Sequence, residues 1–146
     1  MPTITPFLWF DGQAQEAMTF YTSIFKDSKV ISSNPMSVQF ELQGQRFIGL
    51  NAGPHHKFNP AVSFFIEVET QAEIDNYWSK LLADGGRPDQ CGWLQDKFGL
   101  SWQVIPKALP QLLSDPDPAK AKRALDAMLK MGKIDLAELQ RAHAGK

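Results

Sequence analysis

Residues 61–68 read AVSFFIEV, and the stretch that follows at 70–82 reads TQAEIDNYWSKLL. Alternate residues of the first stretch fall into two sets. One set is wholly apolar: Val62, Phe64, Ile66 and Val68. The other set is mixed: Ser63, Phe65 and Glu67. Because successive side chains of a strand point to opposite faces, this alternation predicts a β-strand with one face on the core and the other towards a cleft.

The second stretch has the start signal of a helix. Thr70 and Glu73 have the spacing of a capping box, in which the hydroxyl and the carboxylate each accept a hydrogen bond from a backbone N–H that the helix leaves unpaired. Apolar residues then recur every three or four positions, as on one face of a helix: Ile74, Tyr77, Trp78, Leu81 and Leu82. The run Asp84-Gly85-Gly86 predicts the end of this helix.

The same order of elements occurs earlier in the chain. Residues 3–10 are rich in β-branched and aromatic side chains and predict a strand, and the apolar spacing over 13–25 predicts an amphipathic helix. A hairpin turn is expected at Gln43-Gly44-Gln45, and residues 52–60 predict a loop. Three strands are predicted between the helix and this loop: 30–33, 37–42 and 46–51.

Two short strands are predicted after the second helix, at 87–94 and 100–105, with a turn at 96–99. The chain therefore contains a strand, a helix and further strands, twice over. Each half alone has too few strands and too little core to be stable. The sequence thus predicts an α+β domain over 1–110, whose two halves, about 1–60 and 61–110, face each other around a ligand-binding cleft.

Residues 111–146 are predicted to form a helical tail. Asp117 is a candidate N-cap with Pro118 at the first helical position, and Asp135 with Glu138 suggests a second capping box. Ile134 and Leu139 have the spacing of a hydrophobic staple. The apolar faces of two such short helices must be buried on their own domain or on a second copy, so we predict a homodimer that involves the tail.

The overall composition excludes several classes of protein. The chain has 146 residues, a formal net charge of −1 and one cysteine. It lacks the basic run that nucleic acid requires, the long apolar run that a membrane span requires, and the cysteine pairs of a disulfide framework. The first ten residues do not resemble a signal peptide. A cytoplasmic protein is therefore expected.

Several runs of residues resemble one known family. They are FIGLNAGP at 47–54, FNPAVSF at 58–64, TQAEIDNYW at 70–78, CGWLQDKFGLSWQVIP at 91–106 and SDPDP at 114–118. The likeness, which covers nearly the whole chain, is to the PhnB-like branch of the glyoxalase/bleomycin-resistance, or vicinal oxygen chelate, superfamily. The resemblance implies paired βαβββ modules with a C-terminal helical extension, and usually a homodimer. Proteins of this branch are often labelled as a 3-demethylubiquinone-9 3-methyltransferase domain.

The resemblance also implies where a metal would be held. Metal-dependent members of the superfamily carry a His or carboxylate on each of four strands. The matching positions here are Thr5 or Pro6, Gly49 or Asn51, Ser63 and Gln103. Neutral hydroxyl and amide oxygens are poor ligands for a divalent transition metal. We therefore predict no metal site and no cofactor.

These positions can instead make hydrogen bonds to a small organic molecule held among aromatic walls. The predicted ligand-binding residues are Trp9, Asn51, Ser63, Phe65, Glu67 and Gln103. Residue Ser101 is expected on the same face as Gln103, with Trp102 and Val104 on the helix side. An alternative is that Ser63 and Gln103 only satisfy one another or the backbone.

Other functions remain open at this stage. An enzyme of the same superfamily would use metal ligands at other positions, or the thiol of Cys91, which has no His beside it in the sequence. His55 and His56 are expected on a loop surface. Methyl transfer is not expected, because the only Gly-Gly pair, Gly85-Gly86, ends a helix instead of following a first strand. An oligomeric scaffold without a ligand is the third possibility.

Overall fold

Two four-stranded sheets organise the chain in the computed structural model, which describes residues 1–146. One sheet lies in each of two units, Met1–Lys57 and Phe58–Lys146. Each unit begins with a strand and a helix and continues with three strands; the sequence predicts this order, but with only two strands after the second helix. None of the helices is both long and apolar enough to cross a bilayer.

The first unit contains four strands and one helix. In chain order these are β1 (Phe7–Phe10), α1 (Ala14–Ile24), β2 (Ser28–Ser33), β3 (Ser37–Leu42) and β4 (Gln45–Asn51). The strand order across the sheet is β1-β4-β3-β2, with β1 parallel to β4 and the other pairs antiparallel. The predicted strand over 3–10 is wrong at its start, because pairing with β4 begins only at Phe7, opposite Ile48.

A two-residue hairpin sets the register of this sheet. Gln43 and Gly44 both have positive φ, +50° and +82°, as a tight turn between twisted strands requires. Leu42 therefore pairs with Gln45, and Phe40 with Phe47, whose rings stack with centroids 5.4 Å apart. The helix-facing side of the sheet and the apolar side of α1 form the core of this unit.

The second unit has a longer list of elements. These are β5 (Ser63–Val68), α2 (Gln71–Leu82), β6 (Arg87–Pro88), β7 (Trp93–Gln95), β8 (Ser101–Pro106), α3 (Ala108–Leu113), α4 (Pro118–Met128) and α5 (Leu136–His143). The strand order is β5-β8-β7-β6, again with a parallel pair, β5 and β8, at one side. The predicted strand over 87–94 is wrong: it is two strands joined by a turn in which Cys91 and Gly92 have φ of +59° and +83°.

Helix α2 covers one face of the second sheet. Its capping box is formed as predicted, with the Thr70 side chain accepting from the Glu73 N–H and the Glu73 carboxylate accepting from the Thr70 N–H. The buried residues of α2 pack on β7 and β8. They are Ile74, Trp78 and Leu81. Across from them lie the buried side chains Leu94, Trp102 and Val104.

A buried carboxylate fixes the start of β8. Asp96 is only 3% exposed, and its two oxygens accept hydrogen bonds from the backbone N–H groups of Phe98 and Leu100 and from the indole of Trp102. The turn predicted at 96–99 is thus built on Asp96, and its carboxylate is fully used within the fold.

The tail packs on the second unit itself. The side chain of Gln71 donates to the carbonyl of Ile134 and accepts from the N–H of Leu136, and Ile134 and Leu139 are fully buried. Asp117 and Asp135 cap α4 and α5 as predicted, but the second capping box is only half formed: Asp135 accepts from the Glu138 N–H, while the Glu138 carboxylate pairs with Arg141. The tail has a third helix that the sequence reading missed. Pro110 lies in the first turn of α3, where a missing N–H costs no intrahelical bond.

Candidate functional site

Two rows of side chains cross the face of the second sheet that is opposite to the buried set under α2. The strand registers align Phe65, Gln103 and Trp93 in one row. The neighbouring row, which crosses all four strands, is Ser63, Ser101, Gln95 and Arg87. We call this surface the open face. Ser101 and Gln103 share it, while Trp102 and Val104 lie on the helix side, as the sequence predicts.

A hydrogen bond joins the two rows. The Nε2 amide of Gln103 donates to the hydroxyl oxygen of Ser63 over 3.0 Å. One alternative raised by the sequence was that these two side chains serve only to hydrogen-bond to each other. The structure shows one such bond between them. The bond uses one N–H of Gln103, so its second N–H and its carbonyl oxygen remain, as does the hydroxyl proton of Ser63. The pair is therefore oriented and still has groups to offer a ligand.

Aromatic side chains stand on both sides of this pair. Phe65 is 53% exposed on β5, and Trp93 is half-buried on β7. Both belong to the row of Gln103, and since neighbouring strands lie ~4.8 Å apart their backbones are about 10 Å apart. A flat apolar group can lie between two rings at this spacing and reach the amide of Gln103.

Ser101 carries a polar atom without a partner. The residue is 1% exposed, and its hydroxyl oxygen makes no hydrogen bond. Its row neighbours are Ser63 on β5 and Gln95 on β7. A buried hydroxyl without a partner is destabilising by about 1–3 kcal/mol, and such groups in folded proteins call for an explanation.

A cavity of about 250 Å³ lies at the outer end of the same row. It is lined by Arg87, Pro88, Asp89 and Gln95. The Arg87 side chain is exposed and forms no ion pair with a carboxylate. One oxygen of Asp89 accepts a hydrogen bond from the N–H of Gln90 over 2.8 Å.

The tail closes one end of the open face. Ile105 follows Gln103 on that face and is 4% exposed, and a Cβ at Gly92 would lie 2.6 Å from its Cδ1 and 3.1 Å from Cγ1 of Ile134. Glu67, paired with Ile105 in register, is exposed. Its carboxylate lies on the open face but at the end farthest from Arg87.

The other predicted residues lie in the first unit. The indole of Trp9 donates to the carbonyl of Gly53 over 2.9 Å, and its ring meets His56 edge to face at 4.7 Å. Trp9 is half-buried beside the exposed Phe7, while Leu8 and Phe10 enter the core. The loop residue His56 is thus in contact with Trp9 and is not simply a free surface residue.

Asn51 has a structural task. Its Oδ1 accepts from the N–H of Ala14, the first residue of α1, over 2.8 Å, and its Nδ2 donates to Gln15 Oε1 and to the carbonyl of Pro35. The residue at the N-cap position, Gln13, makes no side-chain cap. Asn51 therefore caps α1 from β4, and its amide protons and carbonyl oxygen are all engaged. Whether it also meets a ligand stays a prediction.

The metal positions implied by the resemblance do not fit a metal. Gly49 faces the core, where a Cβ would lie 2.9 Å from Val38 Cγ2, and Asn51 is bonded to α1. Ser63 and Gln103 are bonded to each other. No group of three or more His, Cys, Asp or Glu side chains lies close enough to hold a metal ion. The donor set offers neutral oxygens and amides, which suit an organic ligand better than a divalent cation.

Cys91 has the surroundings of a structural cysteine. Its thiol lies 3.6 Å from the carbonyl oxygen of Met128, and its backbone N–H donates to the carbonyl of Met131. No His, Lys or Arg side chain is bonded to the thiol to activate it as a nucleophile. The contacts of Cys91 join the β6–β7 turn to the tail, and no observation favours a catalytic role.

Three residues of the open face were missed by the sequence reading. They are Arg87, Trp93 and Gln95. Their strands are two and three residues long, too short for any alternation to be read. The turn at Asp96 could have identified them. It connects β7 to β8, so its position determines which residues of the two strands are paired.

Comparisons with known proteins agree with this architecture. The family model described as 3-demethylubiquinone-9 3-methyltransferase matches residues 2–105. A PhnB protein from Bacillus cereus that carries the same description is 35% identical, covers 72% of this chain and 99% of its own, and has a TM-score of 0.65. A comparison with curated proteins gave no significant match.

More distant structures share the fold. A glyoxalase/bleomycin resistance protein from Albidiferax ferrireducens T118 is 11% identical over 72% of this chain and 98% of its own, with a TM-score of 0.54. FosX from Listeria monocytogenes, described as complexed with Mn(II) and sulfate, is 13% identical over 72% of this chain and 89% of its own, with a TM-score of 0.56. The predicted α+β fold of the glyoxalase/bleomycin-resistance type is confirmed.

Proposed function

The chain belongs to the 3-demethylubiquinone-9 3-methyltransferase, or PhnB-like, family of the glyoxalase/bleomycin-resistance superfamily, and we propose that it binds a small organic molecule on the open face of its second sheet. One observation carries the proposal. Gln103, oriented by its bond to Ser63, lies in register between Phe65, which is 53% exposed, and the half-buried Trp93. Ligand sites commonly combine apolar walls with a few oriented polar groups.

The contacts on the open face suit binding without a metal. Gln103 can both donate to and accept from a ligand, and Ser63 can donate, so a carbonyl, hydroxyl or amide group of the ligand would be recognised. The aromatic side chains favour a ligand with a flat apolar part. Neither contact requires a cation.

Methyl transfer is not part of the proposal, although the family name contains it. A nucleotide-like methyl donor is commonly held by a glycine-rich turn that follows a strand and opens a helix. Here Gly85 and Gly86 follow the end of α2, and a Cβ at Gly86 would lie 2.6 Å from the Cα of Leu82. These glycines allow the chain to pass close to the helix and do not form a cradle.

A titration with two variants tests the binding proposal. Native mass spectrometry of the purified protein first identifies retained small molecules, and a retained molecule or the aromatic amide 3-phenylpropanamide is then titrated while tryptophan fluorescence is measured. We expect Gln103→Ala to weaken binding by about tenfold, the effect of losing a buried hydrogen bond and its orientation. Gln39→Ala is the matched control, since Gln39 is a half-buried strand glutamine of the first sheet. Equal affinity of Gln103→Ala and the wild type would refute the proposal.

Trp9 is tested in the same titration. Trp9→Ala tests the predicted role of Trp9 in ligand binding: weaker binding of the probe would support that role, and unchanged binding would refute it. We expect a smaller effect for Trp9→Ala than for Gln103→Ala, because the indole N–H is already bonded to Gly53.

The assembly and compartment are part of the same proposal. We place the protein in the cytoplasm as a homodimer that involves the tail. Leu125 and Leu129, one turn apart on α4 and at its end, are 40% and 53% exposed, which supports a contact between copies. Removing the tail would delete the buried Ile134 and Leu139 and uncover the part of the second unit on which they pack, so surface variants are the better test.

Light scattering of a Leu125→Lys/Leu129→Lys variant measures the assembly without unfolding the tail. We expect the wild type to have the mass of a dimer and the double variant that of a monomer. Lys120→Ala, an exposed change on the same helix, is the control and should remain a dimer. A dimeric double variant would show that this part of the tail is not the interface.

A further inference from the structure

The row of polar residues on the open face ends in a positive charge. Arg87 pairs in register with Gln95, Gln95 with Ser101, and Ser101 with Ser63. Arg87 is exposed and has no carboxylate partner, although Asp89 lines the same cavity. A guanidinium that is left unpaired beside a cavity is suited to a bidentate bond with a planar anion.

The neighbouring groups extend this site inward. Gln95 lines the cavity, and next to it in register is Ser101, whose buried hydroxyl has no partner in the fold. The amide of Gln95 can add a hydrogen bond to an anion that Arg87 binds, and the buried Ser101 hydroxyl marks unused hydrogen-bonding capacity in the same row. The unpartnered Ser101 hydroxyl is an observation separate from the charge on Arg87, and Ser101 lies in the same row of residues.

Asp89 restricts the charge of the ligand. Its carboxylate lines the cavity with Arg87, and only one of its oxygens is bonded, to the N–H of Gln90. A second negative charge near Arg87 would repel a dianion such as a phosphate monoester more than a monoanion. The cavity of about 250 Å³ is also of the size of a small organic molecule.

From these contacts we infer that the open face takes a monocarboxylate with an aromatic or other flat apolar body, whose carboxylate binds Arg87 while its body lies between Trp93 and Phe65. The inference rests on the proposed function and names its ligand class. Arg87 is one strand and two residues away from Trp93, roughly 8 Å along the sheet. The length of the arginine side chain covers part of that distance. A linker of two or three bonds between the carboxylate and the ring of the ligand covers the rest.

The test compares two probes that differ only in charge. The full-length protein is titrated with 3-phenylpropanoate, which is ionised at pH 7, and with the neutral 3-phenylpropanamide, by NMR of the ¹⁵N-labelled protein. The indole signal of Trp93, assigned with a Trp93→Phe variant, reports binding at the open face. We expect the wild type to bind the carboxylate about tenfold more tightly than the amide, the typical advantage of one charge-assisted hydrogen bond.

Two arginine variants assign the preference to its residue. Arg87→Gln should bind both probes with the affinity that the wild type has for the amide. Arg46→Gln removes an exposed arginine from the first sheet and should keep the preference for the carboxylate. Because the Arg87 side chain makes no hydrogen bond or ion pair within the protein, its replacement should leave the urea unfolding curve unchanged.

The outcomes separate the inference from the proposed function. Equal binding of both probes by the wild type, or a carboxylate preference that persists in Arg87→Gln, overturns the inference and leaves amide binding at the open face intact. If neither probe moves the Trp93 signal, both the inference and the binding of aromatic ligands at this face are refuted. Tighter binding of phenyl phosphate than of the carboxylate would overturn the restriction that we assign to Asp89.

Discussion

The two units share an order of elements but use their polar side chains differently. In the first unit, Asn51 makes three side-chain hydrogen bonds within the fold, and the indole of Trp9 is bonded to Gly53. In the second unit, Gln103 makes one side-chain hydrogen bond and Ser101 makes none. The first unit holds its own helix and loop with these groups, whereas the second leaves hydrogen-bonding capacity of Gln103 and Ser101 unused.

This difference shows why residue type alone does not identify a binding residue. Asn51 and Gln103 both have amide side chains and lie on the last strand of their unit, and both were predicted to contact a ligand. Only their bonding partners distinguish them, because an amide whose donors and acceptor are all engaged has little left to offer. The comparison therefore predicts that Asn51 matters most for stability and Gln103 most for binding.

Asn51→Ala should give the largest change in stability. The substitution removes the cap of α1 and its bonds to Gln15 and Pro35. Loss of a helix cap costs roughly 0.5–2 kcal/mol, and an additional bond about 1 kcal/mol. We expect the free energy of unfolding to fall by about 2–3 kcal/mol, as measured by urea denaturation with circular dichroism.

Gln103→Ala is the comparison variant for this prediction. It removes one partly buried side-chain bond, so the free energy of unfolding should fall by about 1 kcal/mol or less while ligand affinity is lost. The contrast between the two units fails if Asn51→Ala unfolds like the wild type, or if Gln103→Ala is the more destabilised of the two.

The parts of the fold that were predicted correctly depend on local sequence. The alternation over 63–68, the capping box of Thr70 and Glu73, and the caps at Asp117 and Asp135 are each set by residues within a few positions of one another. The turn at Asp96 belongs to the same class. Such signals act before the chain folds, so they can be read from it directly. The strand predicted at 61–68 is wrong at its start, because Val62, expected on the core face, lies before β5 and is 66% exposed.

The features that were missed depend on contacts between distant residues. Asn51 reaches Ala14 across 37 positions, and nothing near Asn51 in the sequence indicates that bond. The rows of the open face depend on how the two short strands, β6 and β7, are paired, and a shift of one residue would move Trp93 to the other face. The candidate site was therefore half predicted: Ser63, Phe65 and Gln103 come from the long strands, and the short strands supplied the rest.

Two serines that are neighbours on the open face sharpen the comparison further. Ser63→Ala removes the acceptor of the Gln103 amide, so stability should fall by about 0.5–1 kcal/mol. Ser101→Ala removes a buried hydroxyl that has no partner, so stability should stay level or rise by up to about 1 kcal/mol. Urea unfolding should therefore show a loss of stability in Ser63→Ala and no loss in Ser101→Ala. A clear loss of stability in Ser101→Ala would mean that its hydroxyl is bonded in the folded protein.

The smallest effect concerns the tail, which packs on the second unit. The pKa of Asp115 lies below its ordinary value, first because its carboxylate accepts from the N–H of Asp117 and then because it accepts a bond from the His143 ring, 2.8 Å away. A lowered pKa in the fold means that the ionised form stabilises the tail. This contribution is fully present above the ordinary value of 3.8 and is lost as the pH falls through the lower folded value.

Asp115→Asn isolates that contribution, because asparagine keeps an acceptor for the Asp117 N–H but cannot ionise. Hydrogen exchange of the α5 amides should show greater protection in the wild type than in the variant at pH 6, and the difference should shrink as the pH falls below about 3.8. The amides of α1 in the first unit serve as an internal reference and should exchange alike in both proteins. A difference at α5 that does not change with pH would show that the Asp115 carboxylate fastens the tail through its shape and hydrogen bonds, with no contribution from its charge.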